Sequence, residues 1–548
     1  MSTTTEKSPG RAISAILTTL RGIERVGNKL PHPFWLFTGL AGIVILLSAL
    51  FHWLGAYAIS PTDGSRVEVQ SLLSPDGIAV IFGDAVDNYV NFPPLGLIVV
   101  MMLGVVVAEQ TGLINALLRG GVTRVPAKYM TFTVALVGIC GSVASDAAYV
   151  VLIPMAAVVF QAVGRSPTLG IVVAFASVSA GWNATLVVAP TDALLAGITT
   201  DAAHIMDEDV VVTPLSNYFF NAVSAILLAF LITLVTELVL RKRTEGLDNV
   251  DAEGEGLGEF TLRPEERRGV RAAGLTLLVF AALFTIALVP EGSWFRGADG
   301  TAMESPLISG IAVVLALAFL AVGVAYGVMA GTVTKPADIP TYMAKGIRDL
   351  APVLVMFFAA AQFLAYFSWT GMAEVLSIHS AEWLESLSVP TSVLFIGFVL
   401  LSTSLNLLIT SGSAQWTLIA PVFVPMLMIL GVNPETTQAM YRIADASTNI
   451  VTPMSPYFVL VLGFIQRYRK DSGIGTLVSL TLPFTVTILI VWTLFFLGWY
   501  ALGIPLGPGA PVDRDTRGPP KTEAAQSLIT YGSGRGASSS MGSSTMGT

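Results

Sequence analysis

What most constrains this chain is a set of apolar segments interrupted at matching places in its two halves. Residues 142–197 contain SVASDAAYVVLIPMAAVVFQAVGRSP and then GWNATLVVAPTDALLAG. Residues 411–463 contain SGSAQWTLIAPVFVPMLMILGVNP and then ASTNIVTPMSPYFVLVLG. Pro154, Gly164 and Pro167 recur as Pro421, Gly431 and Pro434 at one offset (421 − 154 = 434 − 167 = 267), and Asn183, Pro190 and Gly197 recur as Asn449, Pro456 and Gly463 one residue short of it (449 − 183 = 463 − 197 = 266). Inside lipid every backbone N–H and C=O must be satisfied, so a chain unwinds there only where it lines protein or a water-filled cavity. Paired breaks in two halves are the sequence mark of a secondary transporter with one shared site.

The apolar runs themselves fix the class. Of 548 residues, 53% are hydrophobic and 12% charged, where a soluble protein carries about a quarter charged. Mean hydropathy is +0.73. Runs of about 20 residues, each long enough to span the hydrocarbon core, fall near 35–58, 94–118, 169–200, 217–241, 269–290, 306–330, 350–370, 436–466 and 475–503. Two further stretches, 127–163 and 391–431, are too long for one helix and break near Ser142–Asp146 and Thr410–Ser413. Each reads as a hairpin that enters the membrane and returns. The expected fold is an all-α polytopic membrane protein of about nine transmembrane helices plus two re-entrant hairpins in an inverted repeat. Its halves span 35–243 and 269–504. The first apolar run is too long for a signal-peptide core, so no cleavable signal is expected. Cys140 is the single cysteine, which excludes an intrachain disulfide and a cysteine metal cluster.

Charge sets the orientation. Arg119, Arg124, Lys128 and Arg165 flank the first hairpin, which places its open end in the cytoplasm; Glu374, Glu382, Glu385 and Glu435 flank the second, which faces it outward. Arg241, Lys242, Arg243, Arg263, Arg267, Arg268, Lys335, Lys345, Arg467, Arg469 and Lys470 then all lie inside. The two hairpins point in opposite directions, as an inverted repeat requires. Residues 1–34 carry a basic amphipathic segment around Arg11, Arg21, Arg25 and Lys29, suited to the cytoplasmic membrane surface or to packing on the protein. Residues 244–268 are a polar, Gly-rich cytoplasmic linker. Residues 505–548 form a Gly/Ser/Pro-rich tail expected to be disordered and, after an odd number of crossings, outside.

Asp146, Asp192, Arg442 and Asp445 are the ionisable groups in broken or apolar sequence, where a charge needs a partner or a cavity. Arg442 and Asp445, three apart on one helix face, either pair with each other or serve separately, Arg442 as a fork for a substrate carboxylate and Asp445 as the group that titrates or orients it. Asp192, just past a helix break, is a proton carrier, a substrate contact or a solvated loop residue. Trp416 beside the second hairpin tip is a stacking surface for an aromatic ligand or a packing residue, and its repeat mate is Tyr149, which makes both aromatics candidates for the cavity wall. Ser142, Ser145, Ser411 and Ser413 cluster at the tips, with Asn183 and Asn449 in the broken helices. Helix N-termini and unwound carbonyls there suit anions and Na⁺, so Na⁺ at the tips is a metal candidate. Asn406 faces either the cavity or a neighbouring helix. A P-loop, HExxH and a dinucleotide turn are all missing from the sequence, and His32, His52, His204 and His379 sit at helix ends or loops. No enzyme activity, cofactor or nucleic-acid partner is expected. A channel is disfavoured because opposed hairpins around a midplane site favour alternating access.

The motifs GSVASDAAYVVLIP, GWNATLVVAPTDALLAG, TSGSAQWTLIAPVFVPM and YRIADASTNIVTPMSPYF resemble those of the p-aminobenzoyl-glutamate transporter (AbgT) family, over about 35–503. The resemblance implies an inner transport core within an outer dimerisation frame, a homodimer in the inner membrane with its N-terminus cytoplasmic, and a small aromatic anion as cargo. It carries the substrate pathway to Asp192, Asn406, Ser413, Trp416, Pro434, Arg442 and Asp445. Proton coupling through Asp192 or Asp445 is expected, with Na⁺ the alternative. The cargo is either a p-aminobenzoate-like antimetabolite such as a sulfonamide, exported by proton antiport, or the folate catabolite p-aminobenzoyl-glutamate, imported.

Overall fold

The computed structural model describes residues 31–61, 64–122, 126–144, 147–244, 261–290, 292–297, 305–452 and 455–513. The predicted amphipathic segment up to residue 30, Ser145, Asp146, most of the linker (245–260) and the tail beyond 513 lie outside them. Among the described residues, eight helices are long and apolar enough to cross a membrane. One of these, Gly412–Ile429, is a limb of the second hairpin. The other seven, with two helices broken midway, make the nine crossings.

The breaks sit where proline and glycine put them. The first hairpin runs Met130–Cys140, a tight turn Gly141–Ala144, then Ala147–Ala162; the second runs Thr391–Asn406 and Gly412–Ile429. After each, a glycine takes a left-handed turn, Gly164 at φ 74° and Gly431 at φ 82°, a conformation costly for any residue with a Cβ. Three residues on, Pro167 and Pro434 open the broken helices, where a missing N–H costs nothing. The first broken helix is Pro167–Gly181 and Pro190–Ala203; the second is Pro434–Asn449 and Pro456–Tyr468.

Two bodies follow. The frame consists of Pro33–Trp53, Pro93–Gln110, Pro264–Leu288, Ile311–Ala330 and Asp338–Trp369. Hairpins, broken helices, Tyr218–Leu240 and Ile474–Ala501 form the core. Their environments differ. Every residue of Pro434–Thr448 is buried, whereas Pro264–Leu288 buries only Gly269 and Ala273. Backbones of frame helices touch at small residues: a Cβ on Gly104 would lie 1.9 Å from the Ala316 carbonyl oxygen, so nothing larger than glycine fits that crossing.

Three boundaries differ from the sequence reading. The linker's end, 264–268, is the first turn of the helix Pro264–Leu288, capped by a hydrogen bond from Arg263 N–H to Glu266 Oε2 (2.8 Å). Asp338–Trp369 begins a dozen residues before the predicted crossing; at 1.5 Å per residue its polar start projects beyond the hydrocarbon. Residues 505–513, assigned to the tail, are packed on the core, with Leu506, Ala510 and Val512 buried. One small ribbon interrupts the all-helical pattern, Tyr57–Ile59 antiparallel to Arg66–Glu68, with Tyr57 opposite Glu68 and Ile59 opposite Arg66.

Candidate functional site

The second broken helix supplies both charges of its motif, but they part company. Residues 442 and 445 point about 60° apart around a helix, and with the whole circumference buried that suffices to aim them at different neighbours. Arg442 Nη1 lies 2.7 Å from Asp192 Oδ1, with side chains 1% and 5% exposed. The contact is one of charge and distance rather than a straight hydrogen bond. Asp192 stands in the first turn of Pro190–Ala203, where its Oδ2 accepts from Ala189 N–H (2.7 Å) and its Oδ1 from Asn221 Nδ2 (3.3 Å). A carboxylate there also offsets the helix dipole. Arg442 Nε donates to Asn217 Oδ1 (3.2 Å), and Asn217 Nδ2 to the Glu435 carbonyl (2.9 Å). This knot ties the first repeat to the second. Arg442 and Asp445 therefore do not pair with each other, and the arginine's carboxylate is Asp192.

Asp445 faces the other way. Asn183 Nδ2 donates to its Oδ2 at 2.5 Å. A Cβ added to Gly412 would come within 3.0 Å of the same oxygen, so the carboxylate lies against the first turn of Gly412–Ile429, the positive end of that helix. The hairpin-tip N-terminus thus already faces an anion. Asp445 Oδ1 has no hydrogen-bond partner among the described residues. Asn406, fully buried, uses its amide to reach the Asp445 carbonyl (2.9 Å), Thr448 Oγ1 (2.6 Å) and Asn449 Oδ1 (3.1 Å). It fastens the hairpin to the broken helix.

A cavity of about 380 Å³ lies beside Asp445, within the range of small-ligand pockets. Both helix breaks line it (Trp182, Asn183, Thr191; Asn449, Ser455, Tyr457), as do the second hairpin tip (Thr410–Ser413), Tyr149 and Val353 of the frame. Of the expected site residues, Ser411, Ser413, Asp445, Asn183, Asn449 and Tyr149 border it. Asp192, Asn406, Arg442 and Pro434 are buried behind it. Trp416 is placed otherwise than expected for a cavity wall: it is 0% exposed, stacks on Tyr441 (4.5 Å between centroids, 25°) and donates from Nε1 to Thr199 Oγ1 (3.0 Å). Of Ser142 only the backbone, in the hairpin turn, is described. Sequence reasoning passed over Asn217, Asn221, Tyr441 and Tyr457. The two asparagines, four apart near the start of an apolar helix, carried the missed signal, since polar residues there need partners. Among the described residues no cluster of His, Cys, Asp or Glu suits a metal ion.

Opposed hairpins and two broken helices around a cavity at the breaks define a membrane transporter. Residues 18–514 match the family described as "AbgT putative transporter family", and the chain belongs to it. It is 38% identical over 489 residues to the p-aminobenzoyl-glutamate transport protein of Escherichia coli strain K12, covering 89% of this chain and 95% of that one. The YdaH transporter of Alcanivorax borkumensis superimposes with a TM-score of 0.83 at 41% identity, covering 87% of this chain and all of that one. MtrF of Neisseria gonorrhoeae, described with a class of antimetabolite efflux pumps, gives 0.86 at 39%, covering 90% of this chain and all of MtrF. The protein is a multi-pass membrane transporter, and its relatives are transporters rather than enzymes.

Proposed function

We propose that this transporter exports p-aminobenzoyl-type aromatic compounds, p-aminobenzoate-like antimetabolites such as sulfonamides among them, in exchange for protons. It does so as a homodimer in the inner membrane, N-terminus cytoplasmic and C-terminus outside. The observation that carries the reading is that Asp445 is the carboxyl group among the described residues that border the cavity. As a carboxylate it takes a charge-assisted hydrogen bond from the cargo's aromatic amine; once protonated it loses that bond. Proton and cargo then compete for one group, and competition for one group is exchange. The similarity to MtrF supports the direction.

The Arg442–Asp192 pair favours a second reading. A proton on Asp192 would release Arg442 for a cargo carboxylate, so proton and anion would bind together and travel together. That sign fits import of p-aminobenzoyl-glutamate, in keeping with the E. coli relative. An Na⁺ ion at the hairpin tips would serve the same direction. The deciding experiment is flux of radiolabelled p-aminobenzoate and p-aminobenzoyl-glutamate in proteoliposomes, with proton and Na⁺ gradients imposed separately. Cargo moving against an opposing proton gradient, lost in Asp445→Asn, supports the exporter. Flux along a parallel proton gradient, lost in Asp192→Asn, gives the importer instead. Flux that follows Na⁺ and ignores both substitutions removes proton coupling.

A further inference from the structure

If an aromatic ring is the cargo, as the export reading holds, something in the cavity must recognise a π-face. Trp416, which the sequence offers for this together with its repeat mate Tyr149, is fully buried against Tyr441 and Thr199 and does not border the cavity. Tyr149 does, and so does a second tyrosine. Tyr149, on the second limb of the first hairpin, and Tyr457, just past the break of the second broken helix, stack with centroids 4.0 Å apart and planes 3° from parallel. No other ring pair described in the protein is so close and so parallel.

The two rings are held differently. Tyr149 is 3% exposed, its hydroxyl lies 3.3 Å from Ser179 Oγ, and Phe175 packs against it at 6.2 Å. It is a fixed backing. Tyr457 follows Pro456 in the first turn of its half-helix, is partly exposed, and borders the same cavity as the second hairpin tip. A rigid aromatic ring, backed on one face by a second ring and opening onto a cavity, is a stacking platform.

We propose that Tyr457, positioned by Tyr149, is the residue by which this transporter discriminates aromatic from saturated cargo, and that Trp416 is a packing residue of the core. The pair joins the two repeats, so any movement of the first hairpin against the second broken helix separates the rings. Recognition of the cargo's ring is thereby coupled to the contact between repeats.

The test compares two dianions that differ only in the ring, benzoyl-glutamate and cyclohexanecarbonyl-glutamate, as inhibitors of labelled p-aminobenzoyl-glutamate flux in proteoliposomes. The wild type should favour the aromatic competitor by about three- to tenfold, the worth of a ring–ring contact beyond its buried area. Tyr457→Leu should bring that ratio close to one and lower labelled flux at subsaturating cargo by a similar factor of about three- to tenfold. Tyr457→Phe should keep the ratio, because the ring and not the hydroxyl does the reading, and it also controls for folding. Trp416→Phe should leave the ratio unchanged. A preference that survives Tyr457→Leu, or one that disappears in Trp416→Phe, overturns the assignment, as does a wild type that transports the label without ring preference. A wild type that neither transports the label nor binds either competitor removes the parent reading, and this one with it.

Discussion

The turns that follow the two hairpins share a backbone and differ in what holds them. Gly164-Arg165-Ser166-Pro167 and Gly431-Val432-Asn433-Pro434 have the same left-handed glycine and the same helix-opening proline. The first is fastened by side-chain charge: Arg165 Nη1 donates to Glu237 Oε1 (2.5 Å), which also accepts from Thr131 Oγ1 (2.8 Å), with Arg241 on the second oxygen (3.3 Å). Glu237 sits in the π-helical turn Thr236–Leu240, a wider turn common where a side chain is re-aimed. The second is fastened by a later segment of backbone, residues 511–513. Val432 bridges Asp513, Asn433 Nδ2 donates to the Pro511 carbonyl (2.7 Å), and Thr436 Oγ1 to the Val512 carbonyl (2.8 Å). Asp513 is held in turn by the Tyr500 hydroxyl. The repeat keeps the geometry of the backbone and leaves the fastening chemistry free to diverge.

The site is just as uneven. Among the described residues the first half contributes one carboxylate, Asp192; the second contributes Arg442 and Asp445. The pair closes only across the repeats. Arg442→Ala should therefore have the largest effect, leaving Asp192 buried without its cation at a cost of about 3–5 kcal/mol. Transport should be lost and thermal stability in detergent should fall. The double variant Asp192→Asn/Arg442→Gln should recover most of the stability without transport; a melting point as low as that of Arg442→Ala would show that the pair is not what joins the halves.

Cutting the chain after Ile504 comes next. It removes the strap, with the buried Leu506 and Val512 and the bonds to Asn433 and Thr436. The expected loss is about 3 kcal/mol, from apolar burial alone, read as a lower melting point and faster labelling of a cysteine introduced at the base of the second hairpin. An unchanged melting point would make the strap ornamental.

Gly412→Ala addresses the tip. Its methyl would press on Asp445 at 3.0 Å, and a several-fold loss of flux with little change in stability is expected. Equal losses of both would mean that Gly412 matters for packing rather than for the carboxylate. The smallest effect belongs to Glu237→Gln. Glu237 and Arg165 are 29% and 18% exposed, so the pair is worth about 1 kcal/mol or less. A melting shift as large as that from the truncation would erase the contrast between the two fastenings.

Much of the architecture was legible because its signals are local. Hydropathy over about 20 residues marks a span, and a glycine–proline pair marks a break wherever it stands. So the hairpins, the broken helices and their inverted pairing could be read from 142–197 and 411–463. What escaped were residues whose meaning lies in a distant partner. Asn217 reads only as the first residue of an apolar run, yet it bonds Arg442, 225 positions away. The tail was read from its composition, which conceals nine residues, 505–513, that dock.

Sequence by itself determined the membrane class, the nine crossings, the two hairpins and the set of polar residues held at depth, because lipid tolerates no unsatisfied backbone and few charges. Only tertiary structure decided which of those residues meet. Helix rotation is set by packing against neighbours hundreds of positions away. That packing gave Arg442 to Asp192 instead of Asp445, sealed Trp416 behind Tyr441, and brought Tyr149 and Tyr457 face to face at the cavity.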